Sequence, residues 1–467
     1  MTTLNRLVTI FSLPLILAGC AVGPEYLRPP LSIPAAWQAS AGGTTGTAGE
    51  WPAPAWWKSF ADPELDRLEE TVRQGNPDLQ AALSRIKQAR AAAGIAGADR
   101  FPSLQAGAGA ARGTSGGGAG SASDWEMQLS GRYELDLWGK YQRAREAAGA
   151  DLQGSVFGRE ALALDLSGEV ATTWFRLLAV HDRLAIATET LELERQNLDI
   201  LEKRHRAGRI SGLDLAQAKA NRAQVEANLF TLEEERQKTA NALAILLGKA
   251  PGALDTLPAS LMLVVLPPAI PAGLPSALLE RRPDLRAAEA GLVAANAEVG
   301  AAKANLLPSI SLTAAGGYAS QSLTTLLRPD SAFHSLGAGL LAPLFEGGRL
   351  RSEYALSQAR FEELGHNYHR AVLAAFGEVE NALVAIKQQA GRETFLEEAA
   401  GQAERSYRLA LIRYEAGKID YLPVLEADRS WLGARNALVE ARLARLAATV
   451  ALQVALGGGW ENSPPSP

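Results

Sequence analysis

Between residues 125 and 137 polar and apolar side chains alternate. The odd positions carry Trp125, Met127, Leu129, Tyr133, Leu135 and Leu137, and the even ones Glu126, Gln128, Ser130, Arg132, Glu134 and Asp136. Period-two alternation of this length predicts a strand, and one apolar face opposite one charged face suits a barrel wall between lipid and water. A weaker partner strand runs over 103–111 through Leu104, Ala106, Ala108 and Ala110, with a Gly/Ser-rich loop at 113–123 between the two. A second hairpin is expected at 309–318 and 335–345, with Ile310, Leu312 and Ala314 on one face. The rest of the pattern is helical. Residues 140–207 and 349–416 contain no proline, and leucines recur every seventh position at Leu177, Leu184, Leu191 and Leu198. Leu425, Leu432, Val439 and Leu446 keep the same spacing near the end of the chain. Sustained heptads predict coiled-coil-like packing. Gly208 and Gly417 stand where a C-cap would end each long helix.

The chain is written twice. Residues 77–103 align without gaps with residues 283–309, and residues 206–218 with 415–427. The equivalences Pro77/Pro283, Asp78/Asp284, Gly94/Gly300 and Pro102/Pro308 are preserved in order, as are Leu247-Gly248 and Leu456-Gly457. Ordered landmarks at a nearly constant offset indicate an internal duplication. The organisation expected is a signal peptide at 1–19, an extended N-terminal segment at 20–60, a first repeat at 61–250, a linker at 251–281, a second repeat at 282–457 and a tail at 458–467. The first repeat comprises a helix, a β-hairpin at 102–137, a long helix at 140–207 and a return helix at 212–247. The second comprises a helix, a β-hairpin at 308–345, a long helix at 348–416 and a return helix at 420–456. The fold class is therefore mainly α with a β-barrel part. In each repeat the two shorter helices, ~62 residues or ~93 Å, match the long one at ~102 Å.

The N-terminus reads as an address. Arg6 precedes an apolar run of about a dozen residues ending in Gly19 and Cys20, too short to span ~30 Å of hydrocarbon as a helix. LAGC ending at Cys20 resembles the lipobox of bacterial lipoproteins, which implies that the 20–60 segment is lipidated at Cys20, and Ala21 in place of an Asp then implies sorting to the outer membrane. No later stretch approaches a transmembrane helix; LMLVVL at 261–266 is the best run. Any crossing must be a closed barrel. Four strands per chain cannot close one. Two chains would give eight strands with a filled interior, and three would give twelve with room for water, so a homotrimer is expected.

Composition removes other classes. With 46 Lys+Arg against 51 Asp+Glu the chain has no basic excess to suit nucleic acid. Cys20 is the sole Cys, which excludes an internal disulfide framework and Cys-based zinc sites. Gly113 to Gly117 fits the nucleophile-elbow spacing G-x-S-x-G, but in a low-complexity loop without strand-to-helix context. GGGAG at Gly116 lacks the Lys of a phosphate loop. His366 and His369 share a helix face without an evident third metal ligand beyond Glu362 or Glu363, so a solvated face is preferred. Trp51, Trp56 and Trp57 precede the first helix and read as packing residues rather than as an aromatic belt. Catalytic, cofactor and metal sites are all expected to be absent.

Seven strings in order, CAVGPEYLRPP, AWWKSFADPELDRL, ELDLWGKYQRA, RRPDLRAAEA, LLPSISLTAAGG, PLFEGGRLRS and LGGGW, resemble the TolC-like outer membrane factors. The likeness is to the lipoprotein branch of efflux transporter outer membrane subunits, and it spans nearly the whole mature chain. It implies a trimeric twelve-stranded outer-membrane barrel continued by a periplasmic α-helical barrel. Such a duct would dock on a periplasmic adaptor and an inner-membrane pump and pass drugs or other small molecules without chemistry. It also implies that the helix–turn–helix tips meet the adaptor, through Gly208, Ile210, Ser211, Asp214, Gly417, Lys418, Ile419 and Asp420. Tyr414 and Glu426 match positions that close the pore in that family, and Asp420 substitutes for charged residues that Ile419 and Pro423 replace. A type I protein-secretion duct and a pore-less structural lipoprotein are the alternatives.

Overall fold

The computed structural model describes residues 21–38, 53–113, 122–254, 259–268, 273, 275–458 and 460. Cys20, Trp51 and most of the 113–123 loop lie outside that set. Along the chain come α1 (Pro63–Gly75), α2 (Pro77–Ala98), β1 (Ser103–Gly113), β2 (Ala122–Leu135), α3 (Lys140–Arg206) and α4 (Gly212–Leu246). They are followed by the single turn α5 (Leu278–Arg281), α6 (Pro283–Ala304), β3 (Ser309–Ser320), β4 (Ala332–Leu341), α7 (Arg349–Glu415) and α8 (Leu422–Ala455). The described residues divide into two compact units, the first within Met1–Leu31, Ser84–Phe157 and Ala287–Arg370, the second within Ser32–Leu83, Gly158–Arg286 and Ala371–Pro467.

The first unit holds one antiparallel sheet in the order β1-β2-β3-β4. Its register sorts the side chains by face. Ala106 pairs with Leu129, Ala108 with Met127, Met127 with Tyr318, Leu135 with Ile310 and Ile310 with Leu340, giving one apolar face. Glu126, Gln128, Ser130 and Arg132 point the other way, opposite Gly109, Gly107, Gln105 and Ser103 on β1. Much of the apolar face is open among the described residues: Leu104 is 71% exposed and Leu336 87%. β4 ends at Leu341, short of the expected residue 345, because Pro343 has no N–H for a ladder. At the foot of the sheet the Val22 N–H donates to Trp138 O at 2.9 Å, and the Trp138 indole donates to Pro308 O at 2.7 Å. Residues beyond Val22 are strapped down by Arg143 on Glu25 at 2.8 Å and a bidentate Arg28–Glu289 pair at 2.6 and 2.7 Å.

The core of the second unit gathers Trp56, Trp57, Phe60, Leu65, Leu68 and Val72 against Trp174, Phe175 and Leu178 of α3. Helix α1, at the start of the first repeat where the sequence reading assigned no element, brings Leu65, Leu68 and Val72. Asp62 starts it by accepting the Glu64 and Leu65 N–H groups, with Pro63 in the first turn. Its other carboxylate oxygen accepts the Trp174 indole N–H at 2.7 Å. The repeat shows in equivalent jobs. Asn76 caps α2 and donates to Leu246 O at 2.8 Å; Arg282, in the matching position before α6, donates to Ala455 O at 3.1 Å. Each thereby satisfies a carbonyl at the C-terminus of the return helix of its own half, groups that have no intrahelical partner.

Candidate functional site

Both helix–turn–helix turns lie in the second unit. α3 closes with the Arg209 N–H on Arg204 O at 2.9 Å and the Gly208 N–H on His205 O at 2.8 Å. α7 closes the same way, Lys418 on Arg413 O and Gly417 on Tyr414 O, both 2.9 Å. These six-to-one and five-to-two bonds form a Schellman motif, which needs a left-handed residue; Gly208 has φ +68° and Gly417 φ +70°. After the first turn Ser211 caps α4 in a reciprocal box with Asp214, and His205 Nδ1 lies 3.2 Å from Ile210 O. After the second turn no side chain caps α8. Tyr421 occupies the cap position, and the helix begins at Leu422 rather than at residue 420 because Pro423 is tolerated only in a first turn.

An apolar cluster joins the tips. Leu198 and Leu201 of α3 and Ala218 of α4 meet Tyr407 of α7 and Tyr421, Val424 and Leu425 at the start of α8, with Ile210, Tyr414 and Ile419 half-buried around them. The Tyr414 and Tyr421 rings make an edge contact at 5.5 Å, and the Arg204 guanidinium lies 5.1 Å from the Tyr414 ring. The Tyr414 hydroxyl is buried without a hydrogen bond among the described residues. Lys418, Asp420 and Glu426 are exposed. Among the described residues no hydrogen bond joins Tyr414 to Asp420 or Glu426, so the chain by itself does not assemble the three expected gate residues.

A polar layer sits in the same seam, which the sequence reading missed. Glu194 of α3, Asn221 of α4 and Asp428 of α8 are 3%, 4% and 4% exposed. Burial pushes both carboxyls above the ordinary carboxylate range, and for Glu194 the charge of Asp428 adds to it. The Arg429 Nε donates to Asn221 Oδ1 at 2.9 Å. A further bridge between the hairpins, Arg435–Glu189, spans 2.7 Å. The signal for this layer was present: Glu194 lies three residues after Leu191, Asp428 three after Leu425 and Asn221 three after Ala218, all at seam positions of a heptad. His366 and His369 are exposed on α7. Among the described residues no group of three or more His, Cys, Asp or Glu could hold a metal.

The family model described as outer membrane efflux protein matches residues 68–249 and 274–458. The chain belongs to the outer membrane efflux protein family. It is 37% identical over 99% of its length to all of the pyoverdine export outer membrane protein OpmQ of Pseudomonas putida. It is 31% identical to the cation efflux system protein CusC of Escherichia coli, covering 97% of this chain and 98% of the other. The Campylobacter jejuni CmeC outer membrane channel superposes with a TM-score of 0.89 at 26% identity, over 95% of this chain and 96% of that one. This outer membrane efflux protein therefore acts in the outer membrane, with its helices forming a periplasmic extension. Its apolar sheet face is the surface such a location demands.

Proposed function

We propose that three copies of this chain close one twelve-stranded barrel, and that the duct passively conducts small molecules handed over by a periplasmic adaptor and an inner-membrane pump. One observation carries the reading: the sheet has four strands and, among the described residues, β1 and β4 do not pair. Free edges in hydrocarbon leave N–H and C=O groups that cost several kcal/mol each. Eight strands would leave no bore; three copies of four give one. The chain does no chemistry of its own in this scheme. Relatives named for exporting pyoverdine and cations share the family, which favours cargo choice upstream of the duct. Cys20 is the lipid anchor: its neighbour Ala21 lies against Gly139 at the foot of β2, where a lipid chain would enter the membrane beside the barrel.

The tips are the gate. Gly208, Ile210, Ser211, Asp214, Gly417, Lys418, Ile419 and Asp420 form the surface offered to the adaptor, and Tyr414, Asp420 and Glu426 hold the pore shut in the trimer. Single exposed contacts are worth ~0–1 kcal/mol, so an engaged adaptor can offset them and splay the tips. Native mass spectrometry of detergent-solubilised protein, together with current across planar bilayers, tests the scheme. A trimer that conducts is expected; a monodisperse monomer without current would remove the duct. Replacing Tyr414, Asp420 and Glu426 together by Ala should raise the current.

A further inference from the structure

We propose that Glu194 and Asp428 form a proton-operated latch: one proton shared by the two carboxyls fastens α3 to α8, and its departure to water frees the hairpins. The inference rests on the gate reading above. Its ground is the geometry of the seam. The two carboxyls come from α3 and α8, are buried from solvent beside the tip cluster, and face each other closely enough to interact directly. Among the described residues Glu194 Oε2, Asp428 Oδ2 and Asn221 Nδ2 have no hydrogen-bond partner. A fully ionised pair would bring two like charges together out of water, a state buried sites avoid by keeping a proton.

The surroundings do not supply a counter-charge that would remove the need for that proton. Arg429 on α8 spends its Nε on Asn221 Oδ1 and is itself exposed. Asn221 faces the layer from α4, and the next residue, Arg222, has its Nε buried and without a partner among the described residues. Tyr407 from α7 and Tyr421 at the head of α8 sense both carboxyls, and burial raises each phenol above its ordinary value. At neutral pH both are uncharged. The layer therefore holds two acids, two neutral phenols and an amide, with the guanidinium charges at its margin.

The sign follows from linkage. The closed tip binds one proton more than a parted tip, whose carboxyls return to the ordinary range near ~4. Above that range opening releases a proton, so rising pH favours the open tip and falling pH the closed one. The open-to-closed ratio should change by up to tenfold per pH unit for each protomer. The effect ends where the closed pair loses its proton.

The test uses the full-length protein in planar bilayers between pH 5 and 8, with infrared spectroscopy of the same preparations. Wild type should conduct more as pH rises, and its infrared spectrum at pH 6 should carry a protonated carboxyl band in the difference against Glu194→Gln. Glu194→Gln offers Asp428 an amide donor that cannot titrate; it should keep the tip shut and flatten the pH response. His205→Gln, which changes another ionisable group near the first turn, should keep the wild-type slope. No band in that difference, an unchanged slope in Glu194→Gln or a lost slope in His205→Gln would each overturn the latch. The variant with Tyr414, Asp420 and Glu426 replaced by Ala separates the two readings. If it conducts more while Glu194→Gln keeps the slope, the gate stands and the latch falls; if its current equals wild type, both fall.

Discussion

Closure of the tip should depend more on Tyr421 than on the exposed acids beside it. Tyr421 is buried in the cluster that joins the two hairpins and touches the Tyr414 ring edge-on. Truncating a buried aromatic to Ala costs ~3–5 kcal/mol. The cluster draws on both hairpins, so roughly half of that, ~1.5–2.5 kcal/mol, is lost from the closed tip alone. That corresponds to roughly a 10- to 70-fold shift toward opening for each protomer. Asp420 and Glu426 are exposed and make no bond among the described residues, so their joint replacement is worth ~0–1 kcal/mol per contact. Single-channel recording of Tyr421→Ala against Asp420→Ala/Glu426→Ala separates the two terms, and salt adds a second axis. Ion pairs weaken when the Debye length falls from ~8 Å at 0.15 M to ~3 Å at 1 M, whereas apolar contact does not. Tyr421→Ala should open the duct at both salt levels. The reasoning is refuted if hydrogen exchange shows a loosened tip in Tyr421→Ala while its current stays at the wild-type level.

Other expectations concern the second unit's core, its ion pairs and the sheet. Burial pushes Glu69 up to about 8, with Ser167 as its hydrogen-bond donor. The folded state therefore keeps a proton that the unfolded chain releases above ~4.3, and stability falls as pH rises from there to about 8. The slope should approach ~1.4 kcal/mol per pH unit, and Glu69→Gln should flatten it in thermal melts. Glu393 is buried between Arg442 and Arg445 at 3.0 and 2.8 Å. Glu393→Ala removes the carboxylate partner of the half-buried Arg442, which keeps its bond to Val264 O, and should cost ~1–3 kcal/mol, read as a lower midpoint in denaturant. At Gly317 an added Cβ would overlap the Met127 carbonyl, whereas at Gly109 it meets open space. Gly317→Ala should lower the yield of membrane-inserted protein and Gly109→Ala should not, as membrane fractionation will show.

Much of the fold could be read from the sequence because its determinants are local. β2 announces itself through alternation that needs no partner, and the helix ends through glycines that supply a left-handed residue whatever surrounds them. The less legible parts depend on neighbours. β4 is rich in Gly337 and Gly339 and carries apolar residues on both faces, so period two is faint and Pro343 sets its end. Helix α1 had its signals, Asp62-Pro63 followed by Leu65, Leu68 and Val72, but its importance comes from Trp174 and Phe175, more than 100 residues away. Of the tip residues, the turns were legible and the buried layer was not. Glu194 and Asp428 look like ordinary helix-surface charges unless the seam is extended through them, and only pairing of α3 with α8 makes them a pair.

The two halves repeat a scaffold but not its chemistry. Asn76 and Arg282 do the same work at the far ends of the return helices, one as an amide and one as a cation that also binds Asp284 and Glu378. Such substitution is tolerated because the carbonyl at the helix end needs a donor and either group provides one. At the tips the divergence has consequences. The first turn secures its own outgoing helix through the Ser211–Asp214 box, so α4 keeps its start whether or not the second hairpin is near. The second turn has no cap, and its first helical N–H groups rely on Tyr421 being held in place by the cluster. Burial of Tyr421, Val424 and Leu425 against α3 and α4 therefore fixes the start of α8. Any event that parts the hairpins, by adaptor or by proton, acts first on the end of α8 that has least structure of its own to fall back on.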